Sequence, residues 1–134
     1  MTGFWIVLGT LALAVAVGLV WRARQGQLRA PGAAPVPAAV RETAVEGSVT
    51  LLMLTTPVCA RCPQARAVLA EVTAATPGVR TAELDLAAQP DVADDLGVRS
   101  TPTTLALSGA GDELFRIVGV PRRADLIEAL RPHV

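Results

Sequence analysis

The sequence predicts an α/β domain, a mixed four-stranded sheet flanked by helices, preceded by one helix suited to crossing a membrane. Two observations lead to this prediction. An uncharged apolar run occupies residues 4–21. Four short aliphatic or β-branched segments follow, at 49–54, 79–86, 103–107 and 113–118, separated by turn residues or helical patterns. The predicted order after the apolar run is therefore β-α-β-α-β-β-α.

The apolar run from Phe4 to Trp21 approaches the length that a helix needs to cross about 30 Å of hydrocarbon. Trp5 and Trp21 near its ends suit the two membrane interfaces. A cleaved signal peptide is the alternative, but no basic residue precedes the run and the run is long for one. A buried helix of a soluble protein is a second alternative. We expect a retained single-pass transmembrane helix.

The arginines beside this run predict its orientation. Arg22, Arg24 and Arg29 follow it, and no basic side chain precedes it. Because basic residues collect on the cytoplasmic side, the C-terminal domain is expected in the cytoplasm, with an extracytoplasmic domain as the alternative.

Residues 22–47 are rich in Ala, Pro, Gly and Arg, with prolines at 31, 35 and 37. Such prolines disfavour a regular helix and favour extended chain. This segment is predicted to be a linker that holds the domain, 48–134, away from the membrane. A short helix over 37–46 is the only regular element that its sequence suggests.

Within the domain, the strand at 49–54 leads to a predicted helix at 59–75, whose apolar positions recur at i, i+3, i+4 and i+7. After the strand at 79–86, a short helix at 90–96 begins at a proline and ends at a glycine. A glycine-rich loop at 108–112 joins the last two strands as a hairpin, and a helix at 122–131 follows. Helical crossovers imply parallel first strands, and the hairpin implies an antiparallel last pair.

Cys59 and Cys62 are the only cysteines, and they lie where the first strand meets the first helix of the domain. Free N–H groups at a helix N-terminus stabilise a thiolate, which is the reactive form of cysteine. Two cysteines at this spacing can form a disulfide, and the second can resolve a mixed disulfide made by the first. Two cysteines are too few for a secreted disulfide scaffold, so the pattern favours redox chemistry.

This order of elements, with Cys-x-x-Cys at the first junction and Ser100-Thr101-Pro102-Thr103 before the third strand, resembles the thioredoxin family over residues 49–130. The resemblance implies a cis Thr101–Pro102 peptide bond beside the cysteines. It also implies that the Thr101 backbone binds an extended substrate, that the substrate is a protein disulfide, and that a thiol supplies electrons. No cofactor or metal is implied.

Several residues depart from the family pattern. Val58 replaces the usual tryptophan, and Ala60-Arg61 replaces the usual Gly-Pro between the cysteines. Met53 stands where typical members have a buried aspartate, and Glu83 where they often have a lysine. These differences predict a divergent, membrane-tethered member rather than a general cytosolic thioredoxin.

The expected chemistry assigns attack to Cys59 and resolution to Cys62. Arg61 and the helix N-terminus are expected to lower the pKa of Cys59 below the free value of about 8.5. Since Met53 is not an acid, water or Glu83 must help to deprotonate Cys62.

Net charge is zero, with 12 basic and 12 acidic residues, which argues against a nucleic-acid partner. One rival interpretation is a Cu(I)-binding module, because two thiolates suit soft metals. A zinc site would need more ligands, and only His133 is available to add one. A non-catalytic redox sensor on the same fold is the third interpretation.

Overall fold

Five strands and five α-helices make up the protein in the computed structural model, which describes all 134 residues. In chain order they are α1 Thr2–Arg24, β1 Leu28–Arg29, α2 Ala38–Arg41, β2 Val49–Thr55, α3 Cys62–Ala75, β3 Val79–Asp85, α4 Pro90–Leu96, β4 Thr103–Leu107, β5 Glu113–Val118 and α5 Arg123–Leu130. A 3-10 turn, Arg131–His133, ends the chain.

The sheet has the strand order β1-β5-β4-β2-β3. Strands β2 and β3 are parallel, whereas β2–β4, β4–β5 and β1–β5 are antiparallel. The predicted α/β fold with a mixed sheet is thus confirmed, but β4, which follows the second helical crossover, is antiparallel to β2 and not parallel to it as expected. The sheet has a fifth strand, β1, that was not predicted. Two residues are too few to show an alternating pattern, and β1 exists because β5 supplies its hydrogen-bond partners.

Each face of the sheet buries its own apolar cluster. Beneath α3 and α5 lie thirteen buried residues: Val49, Leu51, Met53, Cys62, Ala65, Leu69, Val72, Val79, Ala106, Phe115, Ile117, Leu126 and Leu130. Beneath α2 and α4 lie nine: Val40, Leu52, Leu54, Leu84, Leu86, Val92, Leu96, Leu105 and Leu107. Alternation along β2 and β4 divides their side chains between the two clusters, as expected for a sheet covered on both faces.

Helix α1 stands outside this core. None of its residues is buried, and its mean hydropathy over the most apolar window is 2.3. The helix covers Thr2–Arg24, a few residues more at each end than the predicted 4–21. By length and composition, it is able to cross a membrane.

Residues 25–47, which we call the connecting segment, lie against the domain. The Gly26 N–H donates to the Val118 carbonyl at 2.8 Å, and Arg80 donates to the Thr43 carbonyl at 2.7 Å. Val40 is fully buried in the cluster under α2 and α4. This differs from the expected free linker, because apolar residues among the prolines cover one face of the sheet. The domain boundary at residue 48 stays a prediction.

Candidate active site

The two cysteines lie on either side of the point where α3 begins. Strand β2 ends at Thr55, and the Cys59 N–H donates to the Thr56 carbonyl at 3.2 Å in a tight turn. Helix α3 starts at Cys62, with Pro63 in its first turn. The predicted start at residue 59 is therefore wrong by three residues. The backbone of Cys59 belongs to this turn and not to the helix. Pro63 fits the first helical turn because an N–H at that position would have no partner within the helix.

A disulfide joins Cys59 to Cys62, whose Cα atoms are 5.4 Å apart. The Cys62 side chain is buried, with 3% of the residue exposed, and packs in the cluster under α3. Cys59 is partly exposed at the edge of that cluster. An incoming molecule can therefore reach the sulfur of Cys59 more readily than that of Cys62.

Thr55 is a site residue that the sequence analysis missed. Its hydroxyl oxygen lies 3.0 Å from the Cys62 sulfur, within hydrogen-bond reach. A usable signal was present in the sequence: Leu51, Met53 and Thr55 alternate along β2 and so face the same side of the sheet. The last of them meets the first residue of α3.

The position of the usual buried aspartate is apolar. Met53 is completely buried and pairs across the sheet with Thr104, whose buried hydroxyl has no hydrogen-bond partner. Glu83, considered as a base for Cys62, pairs with Met53 on the other side but forms an ion pair with Arg66. Both of these charged side chains are about half exposed. Thr55 is thus the polar side chain found bonded to Cys62.

Thr101 and Pro102 lie at the same end of the sheet as the disulfide. Their peptide bond is cis, as the resemblance implies. Thr103 pairs with Leu54, so Pro102 comes beside the end of β2 where Thr55 lies. Pro102 is buried and Thr101 is partly exposed.

Arg61 directs its guanidinium group toward the connecting segment. Its Nη1 lies 3.5 Å from Oε1 of Gln25. The same oxygen lies so near Gly119 that a Cβ there would come within 2.3 Å of it. The Gly119 N–H in turn donates to the Pro102 carbonyl at 2.8 Å. Gln25, which the sequence analysis did not single out, therefore fills the space between Arg61 and the loop beside Pro102.

His133 is remote from the cysteines. Its ring lies 6.3 Å from that of Phe115, and it borders a surface pocket formed with Ser48 and Gly78 at the start of β2. The cysteines lie beyond the other end of β2, roughly 20 Å away for a seven-residue strand. A zinc site built from the cysteines and His133 is therefore not formed.

Comparisons with known proteins agree with this geometry. The family model for the thioredoxin-like domain matches residues 36–133. No curated protein is similar enough in sequence to count as a match.

Several solved structures share the fold. Thioredoxin-2, described as a component of the malaria parasite protein secretion machinery, is 21% identical with a TM-score of 0.57; the alignment covers 64% of this chain and 84% of that one. The Malassezia sympodialis thioredoxin is 21% identical with a TM-score of 0.55, over 69% of this chain and 81% of that one. The Fasciola hepatica thioredoxin is 20% identical with a TM-score of 0.55, over 66% and 84%.

Proposed function

This chain belongs to the thioredoxin-like domain family, and from that premise we propose that it is a membrane-tethered thiol–disulfide oxidoreductase acting on protein disulfides. The observation that supports this most is the unequal exposure of the linked pair. Cys59 is partly exposed to solvent, whereas Cys62 is buried in the core beside it. Exchange through a mixed disulfide needs one accessible thiol to attack and a second thiol close enough to resolve the mixed disulfide.

The proposed reaction has two steps. In the dithiol form, the Cys59 thiolate attacks one sulfur of a substrate disulfide; a Cys59–substrate disulfide forms, and the other substrate sulfur leaves as a thiolate. The Cys62 thiolate then attacks the Cys59 sulfur, which forms the intramolecular disulfide and releases the second substrate thiolate. The substrate gains two electrons and takes two protons from solvent. A cellular thiol donor restores the dithiol by the reverse exchange.

The neighbouring residues have distinct proposed roles. Thr101 and Pro102 lie at the cysteine end of the sheet, and the Thr101 backbone is proposed to bind an extended substrate there. Arg61, the residue between the cysteines in sequence, is proposed to modulate the pair through the positive charge that it brings to this end of the domain, where its guanidinium group lies beside Gln25. Thr55 is placed to donate a hydrogen bond to the Cys62 thiolate when that group attacks.

Helix α1 is proposed as the single-pass anchor. The arginines that follow it support a cytoplasmic domain, where cellular thiols would keep the pair reduced. A membrane-impermeant maleimide is expected to label Cys59 only after the membrane is permeabilised. Labelling in intact cells would instead place the domain outside.

Reduction of insulin by the purified chain, with dithiothreitol as donor, tests the proposed activity. The wild-type chain is expected to accelerate insulin precipitation, and Cys59→Ser to abolish that acceleration. Stoichiometric Cu(I) binding that survives a competing chelator, without disulfide turnover, would favour the metal-binding interpretation. Cysteine oxidation without turnover would favour the sensor.

A further inference from the structure

The connecting segment fixes which end of the domain is next to helix α1. Leu28 and Arg29 pair with Ile117 and Arg116, so β1 runs antiparallel to β5. The chain therefore arrives at the end of the sheet where β5 finishes, close to Val118. This is the end that contains the disulfide and Pro102.

Little freedom remains between α1 and the domain. The helix ends at Arg24, and only two residues later the Gly26 N–H is bonded to the Val118 carbonyl. Gly26 is buried, and a Cβ on it would come within 2.4 Å of the Val120 carbonyl oxygen. The Arg122 guanidinium also lies 3.4 Å from the Ala23 carbonyl at the end of α1. The domain thus contacts the C-terminal end of α1 directly and is not separated from it by a flexible linker.

The distance from the membrane interface to the redox site is short. Gln25 is four residues beyond Trp21, which corresponds to about 6 Å along a helix axis. Its side chain touches Arg61, the residue between the cysteines. With Trp21 at the interface, Arg61 lies at the level of the lipid headgroups or just above them.

The charges at this end fit a headgroup surface. Arg22, Arg24 and Arg61 are exposed and form no salt bridge. Anionic headgroups attract such groups by about 1 kcal/mol each. Val58, 91% exposed beside Cys59, adds an apolar side chain to the same end.

We propose that the disulfide end of the domain faces the membrane surface, so that its partner is an integral membrane protein whose cysteine pair lies at the headgroup level. This rests on the proposed tethered oxidoreductase. A bulky soluble protein is disfavoured because the bilayer restricts its approach to Cys59, whereas a disulfide held at the membrane surface meets Cys59 directly. The docked connecting segment keeps the domain from turning away.

Probe depth tests the geometry without any turnover. In a chain with both cysteines changed to Ser, a bimane label is attached at Val58→Cys or at Ala110→Cys. Ala110 is exposed in the hairpin between β4 and β5, at the far end of the sheet. In phosphatidylglycerol vesicles with nitroxide-labelled phosphatidylcholine headgroups, strong quenching is expected at position 58 and weak quenching at 110. Equal quenching, or stronger quenching at 110, would overturn the proposal.

A linker insertion tests the consequence for substrates. About twenty Gly/Ser residues between Arg24 and Gln25 would let the domain move roughly 25 Å from the membrane while leaving the contacts of Gln25 in place. In proteoliposomes, this variant should reduce insulin about five-fold faster than wild type, because insulin could then approach Cys59 from more directions. Its rate with the small disulfide hydroxyethyl disulfide should not change.

The matched control has the same insertion between Met1 and Thr2, which leaves the spacing from the helix to the domain unaltered. It should behave as wild type toward both disulfides. Unchanged insulin reduction after the Arg24–Gln25 insertion would refute the membrane-facing site. If no variant reduced hydroxyethyl disulfide, the proposed activity would be refuted instead, and probe depth would still decide the geometry.

Discussion

Cys62→Ser is expected to accumulate a covalent complex with its disulfide substrate, linked through Cys59, whereas Cys59→Ser is expected to form none. Cys59 is accessible and can make the first bond in either background that retains it. Without Cys62, no sulfur lies beneath Cys59 to displace the bound substrate. Turnover should stop in both variants, but only Cys62→Ser should show the complex on a non-reducing gel, removed by dithiothreitol.

The double variant with both cysteines changed to Ser is the control, and it should give neither turnover nor a complex. Comparable complexes from the two single variants would show that either sulfur can attack. The proposed division of roles, which depends on the burial of Cys62, would then be wrong.

Substitution of Thr55 tests the second step of the proposed reaction, in which Cys62 resolves the mixed disulfide. Thr55→Val keeps the shape of the side chain but removes the hydroxyl 3.0 Å from the Cys62 sulfur. A hydrogen bond to a charged group contributes about 1.5 kcal/mol or more, so resolution of the mixed disulfide should slow about ten-fold. Formation of the mixed disulfide should change little. Thr55→Ser, which keeps the hydroxyl, should resolve the mixed disulfide at close to the wild-type rate. Equal resolution rates in Thr55→Val and Thr55→Ser would show that the hydroxyl has no role in this step.

The strands and the cysteine pair could be predicted because their signals are local. Strands β4 and β5 have the predicted bounds, since each is a short aliphatic segment closed by turn residues. Cys59 and Cys62 were found from their spacing and their place between a strand and a helix. The family assignment followed from adding Thr101-Pro102 to that order, and it is confirmed.

The connecting segment could not be predicted in the same way, because its structure depends on distant residues. Strand β1 has two residues and exists only beside β5. Gln25 has no motif; its position depends on how the chain turns at Gly26 to reach Val118. Proline spacing indicated extended chain, but it carried no information on which surface that chain would cover.

Val40→Asp is expected to lower the free energy of unfolding by about 3–5 kcal/mol, which is a large share of the stability of a small domain. Val40, a residue of α2, is fully buried in the same apolar cluster as Leu52, Leu54 and Leu105. A carboxylate there would lose its water without gaining a partner. Urea unfolding of the full chain in detergent micelles measures the change.

Val45→Asp is the matched control, because Val45 is in the same segment but is 48% exposed. It should change the free energy of unfolding by no more than about 0.5 kcal/mol. A free linker would make the two variants alike, since a carboxylate at either position would stay in water. A large effect confined to Val40 would instead mean that the part of the segment around α2 folds with the domain and is not a free linker.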